Sequence, residues 1–454
     1  MGILSTHPEP GARSPEPGAR SPEPGARSIF GLSSQWVLYD GKPIADAFVL
    51  SHDHQRDALA REAPTAVSRA VVAGDPCYDR LLASLEFRDR YRGALGVDGR
   101  TVVMVSSTWG PSSLIGQHPQ IVRELLHALP SDLYKVVAAL HPNTSHGHGP
   151  GQIRQWLADC LRSGLTILPE IDGWQAGLIA SDVLIGDFGA VTGYHAALRK
   201  PTLLGAFEEY DVVPGTAVST MGDAAPRLRP GTPLRQQIDN AVEDHDPDRY
   251  SSVSGLVTSA AGRSLGLLRG LFYRLLNLTE PSAEAPVEVV PSPSTPRTHR
   301  WDSPHAYRVS ATVDEARRTI TVVRRPAEVG LTRAGRPATH IVCSRDYPLR
   351  SLRSQASVIT ARRPDLADPP SWLRATLDHN PTCQVAALLD QGICTVRTSD
   401  GWTATLRAAE LPEESLPSVI VAWLAAGHPI TELPPSITIE IGARRGEVTV
   451  DRAY

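Results

Sequence analysis

Residues 179–204 form the segment that most restricts how this chain can fold. Val183-Leu184-Ile185 is a short run too apolar to face water on one side. Gly186 and Gly189 bracket an acidic turn at Asp187. Apolar residues then recur with helical spacing from Val191 to Leu198, and Lys200-Pro201 stops that helix before the buried run Thr202-Leu203-Leu204. Strand, turn, helix, strand is a βαβ unit, and strands joined this way pair in parallel. Such sheets carry helices on both faces and collect ligands beyond the carboxyl ends of their strands, which is where Gly186 to Val191 falls. Backbone N–H groups of a glycine-containing turn leading into a helix can hold a phosphate. The same residues also suit an ordinary tight junction between strand and helix.

The alternation extends upstream. Strands are expected at Trp36–Tyr39 (with Asp40-Gly41 as its turn), Ala47–Ser51, Ala70–Ala73, Thr101–Val105, Tyr134–Leu140 and Leu165–Leu168. Helices are expected over 56–61, 79–95, 119–129, 153–162 and 176–180, with one long or broken helix over 251–277. The three short strands ahead of Asp79 bury little by themselves. Three of the later strands end in Ser107-Thr108, His141 and Asp187, the places where a parallel sheet gathers binding side chains.

A chain of 454 residues suggests two or three domains, and 41% hydrophobic residues allow a sizeable core. A net charge of −4 gives no case for nucleic-acid binding. Cys77, Cys160, Cys343, Cys383 and Cys394 are scattered without metal-ligand spacing, so reduced thiols in a cytoplasm are expected, with no metal and no cofactor. The start Met1-Gly2-Ile3-Leu4-Ser5 does not read as a signal peptide, and no transmembrane run of about 20 apolar residues is expected. Three copies of Pro-Glu-Pro-Gly-Ala-Arg-Ser fill residues 8–28 and read as disordered, since two prolines and a glycine per unit forbid a helix. His146 and His148 stand in a segment that reads as a flexible loop rather than a metal site. Between Ser251 and Asn277, leucines and Phe272 alternate with Arg263, Arg269 and Arg274. Such a helix packs against the domain or lies on an anionic membrane. A Pro/Ser-rich linker spans 281–304, and beyond it hairpins at 308–323, 394–406 and 437–451, with helices at 370–377 and 416–426, make an α+β region without a recognisable catalytic set.

Four segments together resemble a known family. Gly74-Asp75-Pro76-Cys77-Tyr78-Asp79, Ser107-Thr108-Trp109, Leu140-His141-Pro142 and Ser181-Asp182-Val183-Leu184-Ile185-Gly186-Asp187-Phe188 are similar, in the same order, to the G-x-P-R-x-D, A-P-T-W-R, L-H-P and S-D-x-x-I-T-D-Y-S-S motifs of the CDP-glycerol glycerophosphotransferase family. That family has a GT-B fold of two facing Rossmann-like domains. The resemblance covers about residues 36–206 and is firmest from Val102 to Leu204. It implies that His141 meets the donor's diphosphate and stabilises charge on the departing nucleotide. It also implies that Thr108 lines the cleft, and that Asp187 with the backbone of Gly189, Ala190 and Val191 holds or borders the phosphate.

The chain also departs from the family pattern. Gly189 and Ala190 stand where the family has paired serines, with Thr192 as a partial replacement. Gly110 and Cys77 replace arginines, and the repeats stand where a histidine-bearing H-G-T-P-x-K loop is expected. The resemblance therefore points to an N-terminally truncated or degenerate member. The expected organisation is repeats over 1–28, a remnant of the N-terminal half over 29–78, a nucleotide-binding Rossmann-like domain over 79–280, the linker, and an α+β accessory domain over 305–454. The implied function is transfer from a nucleotide-diphosphate-activated donor such as CDP-glycerol to an envelope or lipid-linked acceptor. It would take place in the cytoplasm or at the inner membrane face. The alternatives are a catalytically degenerate nucleotide- or partner-binding protein and, behind it, a sugar-nucleotide epimerase.

Overall fold

The computed structural model describes residue 29 and residues 31–97, 99–293, 304–329 and 339–452. The repeats of residues 8–28 lie outside these, as do Phe30 and residues 294–303 of the Pro/Ser-rich segment. The first described elements are small. β1 (Leu38–Tyr39) and β2 (Lys42–Pro43) form a hairpin whose turn residues Asp40 and Gly41 have φ of 48° and 72°. Both values belong to the turn whose twist matches that of the flanking strands. The paired strand residues are Leu38 and Tyr39, and Trp36 and Val37 belong to a preceding helix, Ser34–Val37, rather than to the expected strand. β3 (Phe48–Leu50) and β4 (Ala70–Val72) pair in parallel around the helix Asp53–Glu62, over a small core that includes Ile29, Leu50 and Leu59.

The central sheet comprises β5 (Thr101–Ser107), β6 (Tyr134–Leu140), β7 (Thr166–Ile167), β8 (Val183–Gly186) and β9 (Thr202–Leu204). All pairings are parallel, in the order β7-β6-β5-β8-β9. Both faces are covered, which is why these strands read as unbroken apolar runs. In β5, Val102 and Met104 face one core with Tyr91, Ile179 and Tyr250, while Val103 and Val105 face another with Leu114, Leu125 and Ile238. From β5 the chain winds outward through β6 and β7, then returns to the far side of β5 with β8. The strand order therefore reverses between β5 and β8.

Side chains tie the βαβ unit of β8 and β9 together. Fully buried His195 joins Ser181 Oγ through Nε2 (3.1 Å) and Thr202 Oγ1 through Nδ1 (2.8 Å). Lys200 Nζ donates to the carbonyls of Leu178 and Ile179 at the end of the helix Gly173–Ala180, a cation on the negative helix end. The Gly74–Asp79 motif is a second clamp. Asp75 caps the helix Pro76–Ala83 and accepts from Tyr194 OH at 2.8 Å. Asp79 accepts from Gly262 N (2.7 Å) and Ser264 N (3.0 Å) at the start of the helix Ser264–Leu275.

Several expected helices are broken. The 79–95 pattern divides at Ser84, whose Oγ donates to Arg80 O and accepts from Val290 N. The 153–162 pattern becomes two helices, Pro150–Trp156 and Ala158–Arg162, and 251–277 becomes Ser251–Val257 and Ser264–Leu275. The segment read as a loop around His146 is a helix, Pro142–His148. Its start is set by Pro142 at the first helical position and by His141 Nδ1, which accepts from Asn143 N.

The C-terminal region mixes helices and strands as expected, and its strands close into a barrel that the sequence reading did not include. Its strands are β10 (Ala306–Asp314), β11 (Thr319–Pro326), β12 (Thr339–Ser344), β13 (Val358–Arg362), β14 (Val385–Asp390), β15 (Ile393–Thr398), β16 (Thr403–Arg407), β17 (Ser436–Ile441) and β18 (Arg444–Arg452). They follow one another around the barrel as β10-β11-β17-β18-β16-β15-β14-β13-β12. Val309, Val322, Val358 and Val385 pack with Val419, Ile420 and Trp423 of the helix Pro417–Ala425, which is apolar all round and buried accordingly. Alternate residues of β14, Ala386 and Leu388, face the other way, toward Leu373 of the helix Pro369–His379. A bidentate pair, Arg324 to Asp132 at 3.0 and 2.6 Å, joins the barrel to the parallel-sheet domain, with Ser131 N donating to Arg324 O beside it. Arg162 and Glu328 form a second bridge.

Candidate functional site

The reversal of strand order between β5 and β8 opens a crevice beyond their carboxyl ends, the place where open parallel sheets bind ligands. His141, Thr108 and Asp187 follow β6, β5 and β8, three neighbouring strands, so the fold brings all three to one edge. Their roles in holding that edge together differ.

Asp187 is fully buried. Oδ2 accepts from Thr108 N (2.8 Å), Leu114 N (2.8 Å) and Thr108 Oγ1 (3.1 Å), and Oδ1 accepts from Gly189 N (2.9 Å). Burial pushes its carboxyl above the ordinary range, opposed by the N–H groups of Leu114, Thr108 and Gly189. With both oxygens occupied and no exposure, Asp187 borders the crevice and positions its loops; it does not reach into it. Thr108 is half-buried, and its hydroxyl is held by that carboxylate. Gly189 has no room for a side chain: a Cβ there would stand 2.6 Å from Thr108 Cγ2 and 3.0 Å from Asp187 Oδ1. The serine expected at this position is thus incompatible with the local packing.

Behind Gly189 runs the helix Ala190–Ala197, with Ala190 and Val191 half-buried at its start. No side chain caps it. Its first-turn N–H groups have no partner within the helix and sit at the positive end of its dipole. Thr192 does not stand in for the missing serine hydroxyls. It is fully buried against Gly186, and its Oγ1 has no hydrogen-bond partner among the described residues.

His141 follows β6, its own N–H bonded to Ser107 O at 3.1 Å. Nδ1 accepts from Asn143 N at 3.1 Å, so in the neutral ring the proton sits on Nε2. Burial lowers the imidazole below its ordinary value, with the Glu170 carboxylate acting the other way, which favours the neutral ring. The Trp109 ring lies 6.5 Å from it, centroid to centroid.

Beside the crevice lies a cavity of about 970 Å³, bounded by Ser107 to Pro111, the helix carrying Arg123, and the helices Pro142–His148 and Pro150–Trp156. Thr108 is the one expected site residue that also lines it. Trp156 on its wall was not singled out from sequence, and His148 was read there only as part of a loop. An indole at the end of a seven-residue helix whose other large apolar residue, Ile153, is buried was the available signal. No group of three His, Cys, Asp or Glu side chains is placed to hold a metal among the described residues, and no described helix is long and apolar enough to cross a membrane.

No family model matches the chain, and no curated protein matches it. Among solved structures, one of the wall teichoic acid polymerase TagF aligns over 61% of this chain and 67% of its own, at 15% identity and a TM-score of 0.40. Another TagF structure aligns over 51% of this chain at 16% identity and a TM-score of 0.37, and the chain spans 58% of its length. Anabaena HepE in complex with UDP-glucose aligns over 52% of this chain and 64% of its own, at 15% identity and a TM-score of 0.31. Likenesses this loose carry no argument. The α/β class of the chain rests on its own parallel sheet and its closed barrel.

Proposed function

We propose that the chain is a transferase of the glycosyl or glycerophosphoryl type, taking a nucleotide-diphosphate-activated donor such as CDP-glycerol at the crevice between β5 and β8. The observation that carries this is the uncapped helix start at Ala190 and Val191, placed at the reversal of strand order on the same edge of the sheet as His141. In either transfer the leaving group is a nucleotide phosphate that gains negative charge as its bond breaks. Backbone N–H groups of Ala190 and Val191 and the Nε2–H of His141 are donors suited to that charge. Thr108 and Asp187 are positioning residues. In this reading residues 79–280 form the nucleotide-binding domain, 29–78 the remnant of a facing half and 305–454 an accessory domain. Calorimetry of the full chain with CDP, UDP, CDP-glycerol and UDP-glucose tests it; no binding of any of these refutes it.

A catalytically silent nucleotide-binding protein is the second reading. Favouring it, no Asp or Glu among the described residues lines the cavity. Release of nucleotide from a bound donor, lost in His141→Ala, decides for the enzyme. For a membrane-linked acceptor, the helix Ser264–Leu275 and the residues after it offer a contact. Leu267, Phe272, Leu275, Leu276 and Leu278 are exposed on it, with Arg274 in its last turn. Such a surface suits the inner, anionic face of a bilayer. Co-sedimentation with anionic but not neutral vesicles, abolished by Phe272→Asp, is the expected result.

A further inference from the structure

We infer that the cavity beside the crevice seats the donor's nucleoside, with the base stacked on Trp156 and the ribose toward Asn143 and Thr144. This rests on the nucleotide-donor reading above and goes further by assigning the cavity its own ligand part. Charge comes first. Arg123 is the only lysine or arginine among the described residues lining the cavity, and its guanidinium is held by Asp159 in a bidentate pair, Nε to Oδ2 at 2.6 Å and Nη2 to Oδ1 at 2.9 Å. With that charge neutralised, the cavity is not built for a phosphate. Its other polar groups are amides and hydroxyls, including Gln120, Asn143, Thr144 and Ser113, together with the imidazoles of His146 and His148. They suit a neutral ring that donates and accepts hydrogen bonds.

Shape and place agree with this. Two indoles, Trp109 and Trp156, line the same cavity. Trp156 is 48% exposed, high for a side chain that is usually well buried. His148 packs edge-on against it at 4.9 Å, and Arg123 Nη2 bonds the Trp156 carbonyl, so the platform is fixed before any ligand arrives. A cavity of about 970 Å³ is far larger than a phosphate needs and matches a site for a nucleotide-sized ligand. It opens over the ends of β5 and β6, while the uncapped helix follows β8. Both lie along the carboxyl edge of the sheet, the side on which open parallel sheets bind ligands. Thr108, in contact with both regions, marks where diphosphate gives way to ribose.

The test measures binding of CDP, UDP, ADP and inorganic pyrophosphate to the full chain by calorimetry and tryptophan fluorescence. Stacking against an aromatic ring is expected to contribute about tenfold or more to affinity. Trp156→Ala is therefore expected to weaken all three nucleoside diphosphates by about that factor and leave pyrophosphate unchanged, and Trp156→Phe to restore most of the loss. Near-UV circular dichroism checks that this surface substitution leaves the fold intact. Unchanged nucleoside diphosphate binding in both Trp156→Ala and Trp109→Ala overturns the nucleoside assignment and leaves the donor reading standing. A wild-type chain that binds neither nucleoside diphosphates nor pyrophosphate overturns the donor reading, and the assignment falls with it.

Discussion

Removing Asp132 should cost more stability than any other single substitution at the surface between the two lobes. Its carboxylate takes two hydrogen bonds from Arg324, and the side chains are only 12% and 5% exposed respectively. Burial penalises the Arg324 charge, while Tyr307 and Asp132 act to hold it. The guanidinium also lies 4.5 Å from the centre of the Tyr307 ring. Asp132→Ala leaves this cation buried, with the pair broken from one side, and breaking a buried pair in this way costs about 3–5 kcal/mol. Against a typical total of about 5–15 kcal/mol, that is a large fraction. The assay is guanidinium unfolding of the full chain, followed by circular dichroism and tryptophan fluorescence. The expected result is an earlier transition that splits in two as the barrel and the parallel-sheet domain uncouple. Asp132→Leu combined with Arg324→Met is expected to recover much of the loss, because it removes both charges at once. The exposed pair Arg199–Asp248 supplies the control, where Asp248→Ala costs under about 1 kcal/mol. If Asp132→Ala costs no more than this control, the contact is not a buried ion pair in solution and the reasoning fails.

Three further outcomes follow from the site. Gly189→Ser, which restores a hydroxyl, is expected to weaken donor binding and cost about 1–3 kcal/mol, because its Cβ would meet Thr108 at 2.6 Å; tighter binding sinks this account. Thr192→Val removes an unpartnered buried hydroxyl and is expected to leave stability unchanged or raised by about 1 kcal/mol, with nucleotide affinity unaltered in calorimetry. The His141 ring has its folded-state value lowered by burial, so its contribution to stability is present above the unfolded value of 6.5 and lost as pH falls through the folded one. An anionic ligand favours the charged ring, so nucleoside diphosphate affinity is expected to rise as pH falls from about 7 toward 5, and His141→Gln to flatten that rise.

The parallel sheet was legible because each of its longer strands is a run of apolar residues closed by a turn signal. The apolar run Val183 to Ile185 shows all but the last residue of β8 in sequence, since burial on both faces demands it. Helix ends were less legible where a distant partner sets them. Ser84 breaks its helix partly by accepting a bond from Val290, more than 200 residues away, and no local propensity reports that. The barrel was hidden for the same reason. The alternation in β10 and β11 shows a hairpin, but closure depends on parallel pairing of β11 with β17, of β12 with β13 and of β13 with β14. A strand's periodicity says which of its faces is buried, not which neighbour lies beside it.

Asp187 shows the same limit at the scale of one side chain. A carboxylate after a buried strand, beside glycines, is either a ligand group or an organiser of the loops around it, and residue type does not separate the two. What separates them is the supply of local donors. Gly189 stands two residues on and gives its N–H to Oδ1, a turn that aspartate followed by a glycine commonly makes. Thr108 and Leu114 then occupy Oδ2 from a loop some 70 residues distant, which only the pairing of β5 with β8 brings into reach. On the proposed reading, the groups left to the crevice are backbone N–H groups and one imidazole, none of which announces itself by an acidic or basic residue type. A chain that binds an anion this way needs no excess of positive charge, which is consistent with a net charge of −4.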